Sequence, residues 1–339
     1  MDTKQARILA ILIIVVIAIG IPVILILNTP QPESDLNLTK VGQIATGGST
    51  EYVKVVGNIA FTIDKNEPTP GGLVLINITD PANPSEMSSF HDGGLPQSLD
   101  VAGNIVYVAD TFEGLEIIDV SDPTNPIEIA QYDGSGEVYA VHVIDDIAYL
   151  ADWNNGLVVL NVSDPGNPTY MSDYPVSGAC HHLQVIGDLA YVINHLSQRT
   201  GFVVVNISDP SDPVFAGGYM PEDDDIWNPF VLGNYLYAGN HGAGGGELQI
   251  LNITDPWHVT QIGIFDADGT IFGVYVEGST AYVADAEKGL LVVNISNPLA
   301  PELLCSFYDG GQAVNLDVVD DMIYVADRGG GLEIFHLQW

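Results

Sequence analysis

Gly156-Leu157-Val158-Val159-Leu160-Asn161-Val162-Ser163-Asp164-Pro165-Gly166-Asn167-Pro168 reads as a buried strand running into a turn, and close copies of it recur along the chain. They are GLVLINITDPANP from Gly72, GLEIIDVSDPTNP from Gly114, GFVVVNISDPSDP from Gly201, GELQILNITDP from Gly246, GLLVVNISNPLAP from Gly289 and a truncated GLEIFHLQW from Gly331, seven copies in all. The unit's proline stands at Pro81, Pro123, Pro165, Pro210, Pro256 and Pro298, so the repeats are 42, 42, 45, 46 and 42 residues long, the size of propeller blades. An apolar run with little polar alternation marks a strand covered on both faces. Ser-Asp-Pro then stops it, because Asp bonds its own backbone two residues on and Pro cannot donate to a ladder. Since Asp-Pro recurs in nearly every copy, it reads as scaffold and not as a catalytic aspartate.

Residues 137 to 174 show one whole blade: strand a over Val141 to Ile144, turn Asp145-Asp146, strand b over Ala148 to Leu150, a loop from Ala151 to Gly156, strand c, and strand d over Pro168 to Tyr174. The other a to b turns are Gly57-Asn58, Gly103-Asn104, Gly187-Asp188, Gly233-Asn234 and Gly278-Ser279, with Gly first as a type II′ hairpin requires. Counting back from the turn, the second and fourth residues of strand a are apolar, as in Val55 and Val53 or Val185 and Leu183, and belong to the core. The third varies through Lys54, Asp100, His142, Gln184, Phe230, Tyr275 and Asp317, the pattern expected beside a central channel. The seventh copy reaches Trp339 in strand c, and residues 38 to 46 align with strand d, so an N-terminal strand is expected to close the ring. The fold class is all-β: a seven-bladed β-propeller of four-stranded antiparallel blades over residues 38–339.

Residues 8–27 carry no charge over twenty positions, which as a helix matches a hydrocarbon core roughly 30 Å thick. Lys4 and Arg7 precede this segment while Glu33 and Asp35 follow it, so residues 1–7 are expected in the cytoplasm, 8–27 as one transmembrane helix, and 28–37 as an external stalk. A cleaved signal peptide has a shorter apolar region, about 7 to 15 residues, so an uncleaved anchor is expected. The propeller is then extracytoplasmic, at the cell surface. A formal net charge of −36, from 8 Lys plus Arg against 44 Asp plus Glu, excludes phosphate backbones as partners, so no nucleic acid is expected. Cys180, placed on an inner loop of the fourth blade, and Cys305, in an outer strand of the sixth, are expected to be too far apart for a disulfide.

The GLVVLNVSDPGNP unit resembles the LVIVD repeat family of prokaryotic cell-surface β-propellers, over residues 40–339. The closing Asp of the motif is kept at Asp119 and replaced by Asn77, Asn161, Asn206, Asn252, Asn294 and His336 elsewhere. The resemblance implies a surface propeller and no fixed activity or catalytic set. Those five asparagines, and Asn37, lie in Asn-x-Ser/Thr acceptor motifs and are glycosylation candidates, although a polar strand-ending residue also explains the repeated position.

The a to b turns and Ser-Asp-Pro loops form one face, nearly the same in each blade; the b to c and d to a loops form the other and diverge, so function is sought there. Lys65, Arg199, Lys288 and Arg328, half of all cations, fall in b to c loops, joined by Phe112, Trp153 and Trp227. Candidate ligand-binding residues are Asp100, Tyr139, His142, Trp153, His181, His182, Trp227 and Asp317, suited to a cell-surface protein or glycan. No cofactor is expected. The alternative is a metal-dependent extracytoplasmic enzyme with a transition metal on His142, His181, His182, His195 and His241, although no HExxH or CxxC spacing supports it. Calcium would suit Glu222 to Asp225 or Asp266 to Gly269, while Asp110, Asp152, Asp285 and Asp327 read as turn caps.

Overall fold

The computed structural model describes residues 36–65, 71–91, 93–134, 136–196, 199–221, 226–240 and 246–338. The expected transmembrane segment, the stalk up to Asp35, and Trp339 lie outside them. Among the described residues no helix is long and apolar enough to cross a membrane. Their strands make seven four-stranded antiparallel sheets.

Six blades follow chain order, a-b-c-d: 49–90, 96–132, 138–174, 179–219, 227–266 and 271–307. The seventh takes strands a to c from Ala313–Val319, Met322–Asp327 and Gly331–Gln338, and its outer strand is Asn37–Ile44, paired antiparallel to the last strand from Asn37 opposite Gln338 to Ile44 opposite Leu332. The expected closure is therefore present and starts one residue earlier than expected. A lysine locks it: Lys40 Nζ sits 2.6 Å from Glu333 and 2.7 Å from Asp309. In the third blade the strands are Val138–Ile144, Ile147–Asp152, Gly156–Asn161 and Thr169–Tyr174, so strand a starts earlier, and strand b ends later, than the sequence suggested.

The core lies between blades. Gly156 to Leu160 are all buried, as a strand covered on both faces should be. Leu157 and Val159 of the third blade pack in one cluster with Leu183, Val185 and Val192 of the fourth. Most of the predicted strand a core positions are buried, while Val101 and Val143 are half-buried against their clusters.

The turns behave as read. Gly57, Gly103, Gly187, Gly233 and Gly278 have φ between +56° and +62°, the first position of a type II′ turn. Asp145 and Asp320 adopt the same positive φ, +51° and +56°, with a side chain present. The closing Asn or Asp of strand c caps the next turn: Asn161 Oδ1 accepts the Ser163 N–H at 2.9 Å, and Asn77, Asp119, Asn206, Asn252 and Asn294 do the same two residues on.

The Asp-Pro turn also joins blades. Each strand d carries a bulge followed by a small residue, and in several blades that residue meets the prolyl carbonyl of the next blade. Ser88 donates to Pro123 at 2.6 Å, Ser172 donates to Pro210 at 2.5 Å, and a Cβ at Gly42 or Gly263 would run into the Pro81 or Pro298 carbonyl. Cys305 occupies this place in the sixth blade. Both cysteines are free. Cys180 is not on a loop as expected: it lies in strand a, fully buried, and burial, with a smaller contribution from Asp152, pushes its thiol up to about 12.

Candidate functional site

Each strand a has an exposed inner edge at the channel, and buried backbone donors there must be paired. Polar channel residues supply the partners across blades. Asp317 accepts the Val55 N–H at 2.7 Å, Asp100 the Val143 N–H at 2.8 Å, Gln184 the Val231 N–H at 2.7 Å, and Asn315 the Val53 N–H at 3.0 Å. Asp100 and Asp317 thus act as inter-blade caps. With His142 and the other four predicted channel residues, Lys54, Gln184, Phe230 and Tyr275, they line a lower cavity of about 150 Å³. Burial lowers the pKa of His142, while Asp100 opposes that shift.

Above it a bulge interrupts strand a in every blade, between Thr50 and Tyr52, Pro96 and Ser98, Val138 and Ala140, Cys180 and His182, Trp227 and Phe230, Ile271 and Gly273, and Ala313 and Asn315. A bulge re-aims side chains. Residues five and six before the turn therefore both reach the channel, and the core position moves to the seventh, where Thr50, Val138, Cys180, Ile226 and Ile271 are fully buried. Counting alternate residues does not give this tier as a whole, although Tyr139, His181, His182 and Trp227 within it are among the predicted candidates. Its signal was present, because the sixth position holds Glu51, Gln97, Tyr139 and His181, which strict alternation would bury.

These residues and the b to c loops enclose an upper cavity of about 270 Å³ in the variable face. Tyr139, Trp153, His181, His182, His195 and Trp227, all predicted candidates, line it. Asp100, His142 and Asp317 do not; they face the lower cavity. His241 and Glu222 to Asp225 lie outside the described residues.

One wall is aromatic. His181, His195 and Trp227 form a cluster with ring centroids 4.4, 5.0 and 5.1 Å apart, and Tyr139 packs against Trp153 at 4.8 Å with the rings tilted by 34°. Burial, with His195 and His182 adding to it, pushes His181 down to about 3; burial and His142 push His182 down to about 4. Both are neutral at pH 7. His195 Nδ1 is 2.7 Å from the Thr200 hydroxyl.

The opposite wall, from the seventh, first and second blades, is polar. Arg328 forks onto Glu51 at 2.9 to 3.1 Å and lies 4.9 Å over the Phe272 ring. Lys65 donates to Gln97 at 2.5 Å, and burial lowers its pKa, with Arg328 adding to that and Glu51 opposing it.

The other loop residues are scaffold or rim. Asp152 Oδ1 caps the N–H groups of Asn154 and Asn155, and Asp110, Asp285 and Asp327 do the same in their blades. Asp266 caps Asp268, which pairs with Lys288 at 3.1 Å. Among the described residues no three His, Cys, Asp or Glu side chains are grouped to hold a metal ion.

The LVIVD repeat is matched over residues 47–92, 93–134, 135–176, 177–221, 268–309 and 310–335, and the chain belongs to this family. The matched segments leave out the fifth blade, where strand a carries Pro229, a longer bulge, and Asn228 at φ +34°. Similar solved structures include a protein from Lactobacillus plantarum (TM-score 0.69, 16% identity, 80% of this chain and 88% of that one). Others are the computationally designed Ika8 protein (0.64, 10%, 88% and 99%) and Saccharomyces cerevisiae Sqt1 (0.63, 8%, 88% and 98%). At such identities they share the fold alone. No relative was found among curated proteins.

Proposed function

We propose that this chain is a membrane-anchored cell-surface propeller that binds an extracellular ligand, protein or glycan through its variable loop face, with the upper cavity as the binding site. The observation that carries this is the concentration of unlike residues at the mouth of one otherwise repetitive scaffold. Rings, cations and amides converge there in a concave site, the usual composition of a ligand pocket. The scaffold role follows from the family and fold, while the anchor rests on the uncharged run at residues 8–27.

The closing strand runs from Asn37 at the Asp-Pro face to Ile44 at the opposite one, so an anchor preceding Asn37 by about ten residues would keep the Asp-Pro face toward the bilayer and the cavity outward. A bulky, membrane-impermeant maleimide applied to intact cells tests this. Asn154→Cys in the variable face should label readily and Thr124→Cys on the Asp-Pro face poorly; both positions are exposed on the isolated propeller. The reverse order, or no labelling of either, would overturn the proposal.

A further inference from the structure

In a chain with a net charge of −36, the upper cavity is a cationic island. Lys65 and Arg328 line it with Glu51 as the sole carboxylate among the described lining residues, and His181 and His182 are neutral, so these groups together carry one net positive charge. Glu51 is already held by the Arg328 fork. Lys65 has an uncharged partner, Gln97, and an ammonium has three donors, so it keeps capacity for an anion. Holding an uncompensated cation in a partly buried site costs free energy that a bound carboxylate would return.

Across the cavity stands the aromatic wall, with Trp153 36% exposed on the Tyr139 ring as a platform at the rim. Between the two walls lies Ser98, 6% exposed, whose hydroxyl has no hydrogen-bond partner although it borders both cavities. Gln97, Asn228 and Asn315 add amides to the cavity lining. A flat aromatic acid would satisfy the cation and the rings but leave Ser98 unpaired, and sites with buried polar groups reject ligands that lack the matching partner. A hydroxylated ring bearing a carboxylate satisfies all three features.

We infer that the upper cavity recognises a carboxylated pyranose, a uronic-acid unit of a surface or wall glycan, with the carboxylate on Lys65 and the Arg328 edge and the ring face on Trp153 and Tyr139. This rests on the propeller's being a surface binding module. Titration calorimetry on the detergent-solubilised full chain tests it with D-glucuronate and D-galacturonate, their neutral hexoses, and benzoate. At least one uronate should bind tenfold or more tighter than its own hexose and than benzoate, and its affinity should fall with added salt. Lys65→Met should erase the preference over the hexose, and Trp153→Ala should weaken uronate and hexose alike, both with unchanged melting temperature. Equal binding of uronate and hexose, equal binding of benzoate, a preference that survives Lys65→Met, or no uronate binding would each overturn the inference. Hexose binding alone would still leave the surface-module proposal standing, whereas reversed labelling of the two faces would remove that proposal whatever the cavity binds.

Discussion

The two loop faces of the propeller are built from the same seven repeats, yet one repeats its chemistry and the other does not. On the Asp-Pro face each turn closes on itself through Asn or Asp caps, and several lock the neighbouring blade through a prolyl carbonyl. On the other face the bulge in strand a turns further residues toward the cavity, among them Glu51, Gln97, Tyr139, His181 and Trp227. Under the proposed function, stability and recognition are divided between opposite ends of the blades. Changes at the first end should therefore cost stability, and changes at the second should cost binding.

The largest stability effect is expected at the closing strand. Excising residues 37–44 bares the edge of Gly331–Gln338 and removes Val41 and Ile44 from their cluster, a loss on the order of 5 kcal/mol with association through the open edge. A monomeric variant with unchanged melting temperature would break the closure argument. Next comes Gly263→Ala, whose new Cβ meets the Pro298 backbone and cannot be relieved by a side-chain rotation; it should cost about 3 kcal/mol by denaturant unfolding. Ser88→Ala removes only a hydrogen bond to Pro123 and should cost about 1 kcal/mol, so near-equal losses would argue against a steric lock.

Much of this end of the molecule was legible in the sequence. Blade number, closure, turn residues and the Lys54 to Asp317 channel tier follow from a fixed repeat and a strict alternation, and the structure has them. The site was legible only in part. His181, Trp153 and Trp227 could be placed near the mouth, but the bulge that aims Tyr139 and His181 inward breaks the alternation on which the count depended. The Arg328 to Glu51 pair joins residues 277 apart and exists only because the ring closes. Sequence spacing contains no trace of such a pair.

The seam offers a pH test. Burial, opposed by Lys40, raises Glu333 from its ordinary 4.5 to about 7. A carboxyl with a raised folded pKa holds its proton longer in the folded state, so its contribution is full below pH 4.5 and declines as pH rises toward 7. Unfolding measured from pH 4 to 8 should show wild type losing stability relative to Glu333→Gln across that window. Parallel profiles would show that Glu333 is not held in this way. The smallest effect belongs to the a to b turns: Asp145→Gly relieves a positive φ and should stabilise by about 1 kcal/mol, while a loss would mean that the Asp145 side chain contributes more than its strain costs.

The division of labour between the faces has its own reporters, because Trp153 and Trp227 line the cavity while Trp257, 62% exposed, sits on an Asp-Pro turn at the other end. Intrinsic fluorescence of the full chain, titrated with uronate-containing glycan fragments, reads both faces in one experiment. The account predicts a saturable change that disappears in the Trp153→Phe, Trp227→Phe double variant and persists in Trp257→Phe. A change carried by Trp257 and untouched by the cavity pair would contradict it.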